Sequence, residues 1–317
     1  DLILSGMGLS DGTGPQGIEA EILAVKDFEE LEARAEEAKG KIVLFNPPWE
    51  GYGKTVQYRV GGASVAARLG AVAVLIRSVT GHSLGAPHTG MMRYADDAPR
   101  IPIAALTVED AGRLHRMFQR GLKPVVKLYM EATNHEDTTS YNVVGDIRGR
   151  EHPDEIVLMG AHLDSWDVGT CAQDDGAGVA LTLGAAQMIL KQDLRPRRTV
   201  RVVHYTCEEM GGQGGRAYLE AHQFELDNHV FALESDAGSF PPRGFSVDAD
   251  SLVRNHIEEL ATALAPIAPG RWDVVEGGSG VDVGPIVRAG VPGAGHRVDN
   301  IQYFDLHHSL ADTFDKI

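Results

Sequence analysis

Residues 155–180 read EIVLMGAHLDSWDVGTCAQDDGAGVA. The stretch opens with an apolar run of strand character, crosses a loop holding one histidine and four aspartates, and closes on small residues that begin a helix. A strand feeding a loop and then a helix is the repeating unit of an α/β sheet, and ligands of such sheets gather outside the carboxyl ends of the strands. The same order recurs downstream. RTVRVVHYT (198–206) and NHVFALES (228–235) read as strands, GAGVALTLGAAQMILK (176–191) as a buried helix, and SLVRNHIEELATAL (251–264) as another helix. Near-continuous apolar strands between helices predict a largely parallel or mixed sheet covered on both faces.

Upstream, the chain up to about residue 130 alternates strands and helices in a different context. KIVLF (41–45), AVAVLI (71–76), IPIAAL (101–106) and PVVKLYM (124–130) are short, rich in Val and Ile, and bounded by Gly, Pro or charge. Thr107 with Asp110 three residues on forms a capping signature for a helix that sets Ala111, Leu114 and Met117 on one face. GYGKT (51–55) ends like a phosphate-binding loop, but the position that requires the leading glycine is Pro48, so a nucleotide site is rejected. The 317 residues suit about two domains. With 45 acidic against 29 basic residues and a net charge of -16, the composition argues against a nucleic-acid or anionic-membrane partner. No apolar run approaches the roughly 20 residues that a membrane span needs. The chain begins without Met or a charged-then-apolar leader. Cys171 and Cys207, the two cysteines, are too few for a disulfide scaffold or a thiolate metal site, and either a bridge or two inert thiols is open.

Acids and histidines recur at the predicted strand ends. His162-Leu163-Asp164 follows the first strand of the second region, Asp174-Asp175 precedes the helix, Glu208-Glu209 follows VVHYT, and Ser235-Asp236 follows VFAL. A further strand, VPGAGHR (291–297), leads to His307-His308-Ser309-Leu310-Ala311-Asp312-Thr313. Each alone has a plain explanation: an acidic pair before a helix is usually a cap, a Glu pair a solvated turn, a single His a satisfied surface group. Their repetition at successive strand ends points to metal. Imidazole and carboxylate without thiolate suit zinc, ahead of manganese or cobalt. Asp174, Glu209 and Asp236 plus one metal-bound hydroxide balance two divalent cations, whereas a single zinc leaves excess negative charge.

GAHLDSWDVGTCAQDDGAGVA, TCEEMGGQGGRAY, ESDAG, AGVPGA and HHSLADT together resemble the co-catalytic zinc exopeptidases and, within them, the carboxypeptidase Q group. GKIVLFNPPWEGYGKTVQYR, PHTG and IPIAALTVEDA are similar to that group's inserted protease-associated domain. The resemblance implies an α/β fold: a three-layer mixed-sheet zinc exopeptidase (phosphorylase/hydrolase-like) catalytic domain with an inserted protease-associated domain. It divides the chain into residues 1–17 as a remnant of the catalytic domain or a linker, 18–130 as the protease-associated domain and 131–317 as the catalytic domain, its closing helix missing. It implies two zinc ions, one held by His162, Asp174 and Asp236, the other by Asp174 as bridge with Glu209 and His308. Glu208 becomes the general base, Asp164 the acceptor that fixes the tautomer of His162, and Asp312 a residue that orients His308. Asp175 is left to cap the helix, and Asp282 to help shape the cleft, with a helix cap as its plain alternative. The implied substrate is a short peptide, a dipeptide with an unblocked amino terminus; the resemblance allows a homodimer and a secreted, extracellular or periplasmic location.

The chain departs from the group at Cys171, Cys207 and His204, positions that alter pocket shape without touching ligands. Two rival functions stand beside the hydrolase: a receptor-like binding domain that has lost its ligands, and a single-zinc acyltransferase of the glutaminyl-cyclase kind. Retention of all five ligands and Glu208 opposes the first, and Glu209 with His308 opposes the second.

Overall fold

Residues 1–264, 266 and 272–317 are described by a computed structural model, and they group into two units, Asp1–Asp137 with Phe304–Ala311 and Thr138–Tyr303 with Asp312–Ile317. The first is built on a six-stranded sheet of β1 (Leu4–Gly6), β2 (Ile18–Val25), β3 (Ile42–Phe45), β4 (Ala73–Arg77), β5 (Ile103–Leu106) and β6 (Val125–Leu128), in the order β1-β5-β4-β3-β2-β6. The four inner strands run parallel and the two edge strands antiparallel to them. Because side chains alternate along a strand, Val43 and Phe45 join one core with Val74, Ile76 and Ile103, while Ile42 and Leu44 join a second with Leu75, Ala104 and Leu106. Both faces are therefore apolar and both are covered. The helix Tyr52–Arg68 lays Ala63, Ala66 and Ala67 on the first core, and the helix Val108–Gln119 lays Ala111 and Leu114 on the second. Thr107 caps the latter as its spacing predicts, its hydroxyl accepting from Asp110 N at 3.0 Å.

Residues 1–17, expected as a remnant of the second domain or a linker, supply β1 to this first sheet, where it pairs with β5. Phe304–Ala311 also belongs to the first unit, where Phe304 stacks on Tyr52 with ring centroids 5.1 Å apart and lies 5.8 Å from Trp49.

The second unit carries a seven-stranded mixed sheet of β7 (Val143–Ile147), β8 (His152–His162), β9 (Arg198–Tyr205), β10 (His229–Glu234), β11 (Pro242–Asp248), β12 (Asp273–Glu276) and β13 (Gly293–Val298), ordered β12-β11-β13-β10-β8-β9-β7. At its centre β9, β8, β10 and β13 are parallel. Register fixes what happens at their ends: His162 pairs with Tyr205 and Gly160 with Glu234. His162, the turn after Tyr205 and the two residues after Glu234 therefore leave one edge of the sheet together. The helix Ala177–Lys191, expected to be buried, covers the sheet with one face alone. Ala177, Gly178 and Thr182 are buried, while Leu181, Leu183, Met188 and Leu190 are exposed, since a helix lying on a sheet hides only the stripe that faces it. No helix among the described residues is long and apolar enough to cross a membrane.

Candidate metal centre

His162 ends β8 and is 2 % exposed. Its Nδ1 lies 2.8 Å from the backbone carbonyl of Asp164, which can only accept, so the neutral ring carries its proton on Nδ1 and presents the lone pair at Nε2. Nε2 is 3.2 Å from Asp174 Oδ1 and 3.6 Å from Asp236 Oδ1. Ligand atoms of these three residues all lie within 4.8 Å of one another. Asp164 supplies the acceptor expected for His162 through its carbonyl, while its carboxylate Oδ1 stands 3.8 Å from Nδ1. The carboxylate is engaged elsewhere, accepting Glu208 N at 3.0 Å and Glu209 N at 3.1 Å. Backbone amides turning out of a strand must find acceptors, and one carboxylate meets two of them.

Asp174 is held from behind by Asp312. Oδ1 of Asp312 accepts Gln173 N at 2.8 Å, Oδ2 accepts Asp174 N at 3.1 Å, and its carbonyl accepts Thr170 N and Cys171 N. Asp312 was expected to orient His308; its carboxylate instead shapes the loop that delivers Asp174. Asp175, joined to Asp174 by a cis peptide bond, serves as the cap its position suggests, with Oδ1 accepting Gly178 N at 3.0 Å. Its Oδ2 also accepts His162 N at 3.1 Å, tying the helix start to the end of β8. Residue 178 must be glycine here, since a Cβ would come within 2.0 Å of Ser235 O. Asp167 is exposed and acquires no role.

Glu208 and Glu209 occupy the turn after β9. Trp166 Nε1 donates to Glu209 Oε2 at 2.6 Å, a contact that the composition of the loop gave no reason to expect. Burial, and then the carboxylate of Asp236, push Glu208 up to about 8. Burial opposes charge on His162, yet the Asp174 and Asp236 carboxylates outweigh it and hold the imidazole well above its usual range. These groups want a cation among them. His162 Nε2 and Asp236 Oδ1 are buried with no hydrogen-bond partner, a costly arrangement that a divalent ion accepting both would relieve. An imidazole nitrogen with carboxylate oxygens is the donor set that such an ion takes, so the residues fit it.

Asp282 is 1 % exposed and both its carboxylate oxygens are buried without a partner. The helix Gly284–Arg288 begins at Val283 with no side-chain cap, so Asp282 is not the cap that was its plain alternative. Glu234 holds its neighbours, accepting Val281 N at 2.9 Å and Val283 N at 2.8 Å. His308 lies in the first unit with φ at 60°, its Nδ1 3.3 Å from both Thr89 O and Arg59 Nη1 and its ring stacked on His307 at 3.5 Å. Cys171 and Cys207 are thiols rather than a disulfide, with Cys171 Sγ donating to Trp166 O.

Replacing Asp312 by Ala leaves the amides of Gln173 and Asp174 without their acceptor. Metal affinity, read by competition with a chromophoric chelator, is expected to fall about 10- to 100-fold while the circular dichroism spectrum is kept. Unchanged affinity would contradict the positioning role.

The family model described as Peptidase family M28 matches residues 142–317, which include His162, Asp174, Glu208, Glu209, Asp236 and His308. The chain belongs to peptidase family M28. This M28 chain is 45% identical to Carboxypeptidase Q of Homo sapiens over 312 residues, and 46% identical to Carboxypeptidase Q of Xenopus laevis over 313. Each alignment takes in 98% of the chain but 66% of the relative, so the chain spans slightly less than two thirds of their length. Among solved structures, it superposes on the Peptidase M28 precursor from Shewanella amazonensis SB2B with a TM-score of 0.93 and 38% identity, covering 100% of this chain and 73% of that one. A zinc aminopeptidase from Bacillus subtilis, BSAP, shares the M28 fold at a TM-score of 0.68 and 22% identity, covering 99% of this chain and 74% of that one.

Proposed function

We propose that this protein is a zinc-dependent exopeptidase that hydrolyses short peptides, dipeptides with a free amino terminus foremost. The observation that carries the reading is the gathering of buried His162 and Asp174 with half-buried Asp236 beyond the ends of parallel strands, their charges acting on Glu208. In this reading His162, Asp174 and Asp236 would hold one zinc, and Asp174, Glu209 and His308 would hold a second. The first unit corresponds to a protease-associated domain, residues 18–130. Identity to carboxypeptidase Q proteins and the zinc of a fold relative support the metal and the reaction class.

Zinc, when bound, supplies Lewis acidity to the peptide carbonyl and acidifies water. Glu208 takes the proton of the attacking water and returns it to the leaving amine; a proton affinity raised by burial and by Asp236 helps the second of these steps. Asp164 holds the backbone of both glutamates, and its carbonyl fixes the ring of His162. Trp166 keeps one oxygen of Glu209 in place. A receptor-like role would require loss of these groups, and all are retained.

Free and N-acetylated dipeptides offered to the zinc-loaded protein test the reading. Free dipeptides are expected to be cleaved and their acetylated forms to be cleaved at least about 100-fold less efficiently, because a site built for an ammonium group rejects its neutral amide. Equal cleavage of both would sink the free-amino-terminus claim.

A further inference from the structure

Gln173 immediately precedes Asp174, and it is completely buried within the second unit. Its Oε1 accepts Ser239 N at 2.7 Å and the Ser239 hydroxyl at 3.1 Å, and its Nε2 donates to Lys316 O at 2.9 Å. These partners fix which way the amide points. A backbone N–H can only donate and a carbonyl can only accept, so a flipped amide would break both contacts. The backbone N–H of Gln173 is spent on Asp312. Ser239 lies three residues after Asp236, so one side chain ties the loop of Asp174 to the loop of Asp236.

The second of these loops needs the tie. Ser235 N donates to Gly160 O at 2.9 Å where β10 ends, and Pro241 O accepts Asp299 N at 2.8 Å where β11 begins. Between those points, among the described residues, the backbone is held by the bond from Ser239 N to Gln173. Gly238, at φ 78°, brings bare backbone against the amide, and a Cβ there would come within 2.5 Å of Gln173 Oε1. Across the tie, Asp174 and Asp236 each turn a carboxylate oxygen toward His162 Nε2, at 3.2 Å and 3.6 Å. Carboxylates gathered away from water repel one another, so loops free to move would carry them apart. A neutral amide joins the loops without adding charge beside these acids.

We infer that Gln173 is a positioning residue for the metal centre: its side-chain amide locks the loop of Asp236 against that of Asp174 and so sets the separation of the two carboxylates. The inference rests on the reading in which His162, Asp174 and Asp236 would hold one zinc. It makes zinc affinity depend on a side chain whose own polar atoms are spent on Ser239 and Lys316.

Zinc affinity, read by competition with a chromophoric chelator, and backbone amide exchange of the metal-free protein test it. Gln173→Met keeps the length of the side chain and loses every hydrogen bond of its amide. Its zinc affinity is expected to fall about 10- to 100-fold, with faster exchange over residues 236–240 and unchanged exchange over residues 232–234. Ser239→Ala, at an exposed position, removes one of the bonds and should lower affinity about fivefold. In the double variant the serine change should add nothing, because its partner is already gone; full additivity would reject the tie. Wild-type zinc affinity in Gln173→Met overturns the inference. So does a fall matched by faster exchange over residues 232–234, the signature of a general loss of packing. If Gln173→Met does not fold, Ser239→Ala decides: the expected fall with an unchanged metal-free melting temperature sustains the inference, and unchanged affinity rejects it. A wild type that binds no zinc fails the metal reading and takes the inference with it. A wild type and variants that bind zinc equally leave that reading standing and reject Gln173 alone.

Discussion

Glu208→Gln is expected to lower kcat by about 10³-fold with its zinc content unchanged. The substitution removes the proton acceptor while keeping size, and the backbone amide of residue 208 still donates to Asp164. Metal binding is assigned to the neighbouring Glu209, whose own position is fixed by Trp166 and Asp164. Loss of rate therefore separates from loss of metal. Stopped-flow or steady-state kinetics together with elemental analysis of the same preparation checks both halves, and a variant that kept wild-type kcat would remove Glu208 from the chemistry.

Stripping the metal is expected to abolish activity and to reverse the usual pH dependence of stability. Glu208 has a folded pKa raised from 4.5 to about 8, and those of Asp175 and Glu234 are also raised by burial. His162 is raised too, by Asp174 and Asp236 against burial. A group whose folded pKa lies above its unfolded value stabilises at low pH and loses that contribution as pH rises through the folded value. All four shifts have the same sign. The chelator-treated protein should therefore melt lower at pH 8 than at pH 5.5, by about 5 °C or more, with most of the change between pH 5 and 8. Zinc should restore the melting temperature most at pH 8, where it neutralises carboxylates and does not compete with protons. Differential scanning calorimetry at the two pH values, with and without zinc, reads the effect. A metal-free protein equally stable at both would show that these acids are not buried around one another.

The strands were legible because their cores are. KIVLF and AVAVLI become Ile42–Phe45 and Ala73–Arg77, buried on both faces as continuous apolar runs between helices imply. The helix Tyr52–Arg68 escaped notice since Gly51, Gly53, Gly61 and Gly62 break its apolar period and its start imitates a phosphate loop. Residues 1–17 and 304–311 joined the first unit through contacts far apart in sequence, between β1 and β5 and between Phe304 and Tyr52, which no local pattern carries.

At the centre, recurrence at strand ends marked His162, Asp174 and Asp236, the family resemblance grouped them on one metal, and they meet. The resemblance gave roles to Asp164 and Asp312 and position gave one to Asp175: Asp175 caps the helix and Asp164 meets His162 through its carbonyl, while the carboxylate of Asp312 holds the loop of Asp174. The capping of a helix by a residue three positions earlier is a local matter, as Gly178 shows. Asp164 and Asp312, by contrast, bind amides of residues 208–209 and 173–174, and backbone amides look alike in every sequence.

Metal stoichiometry tests the central claim most directly. Elemental analysis after dialysis against trace zinc should find two zinc ions per chain in the wild type and one or none in His162→Ala and Asp174→Ala. A wild type that retains no zinc, or a His162→Ala variant that retains the full complement, would contradict the account.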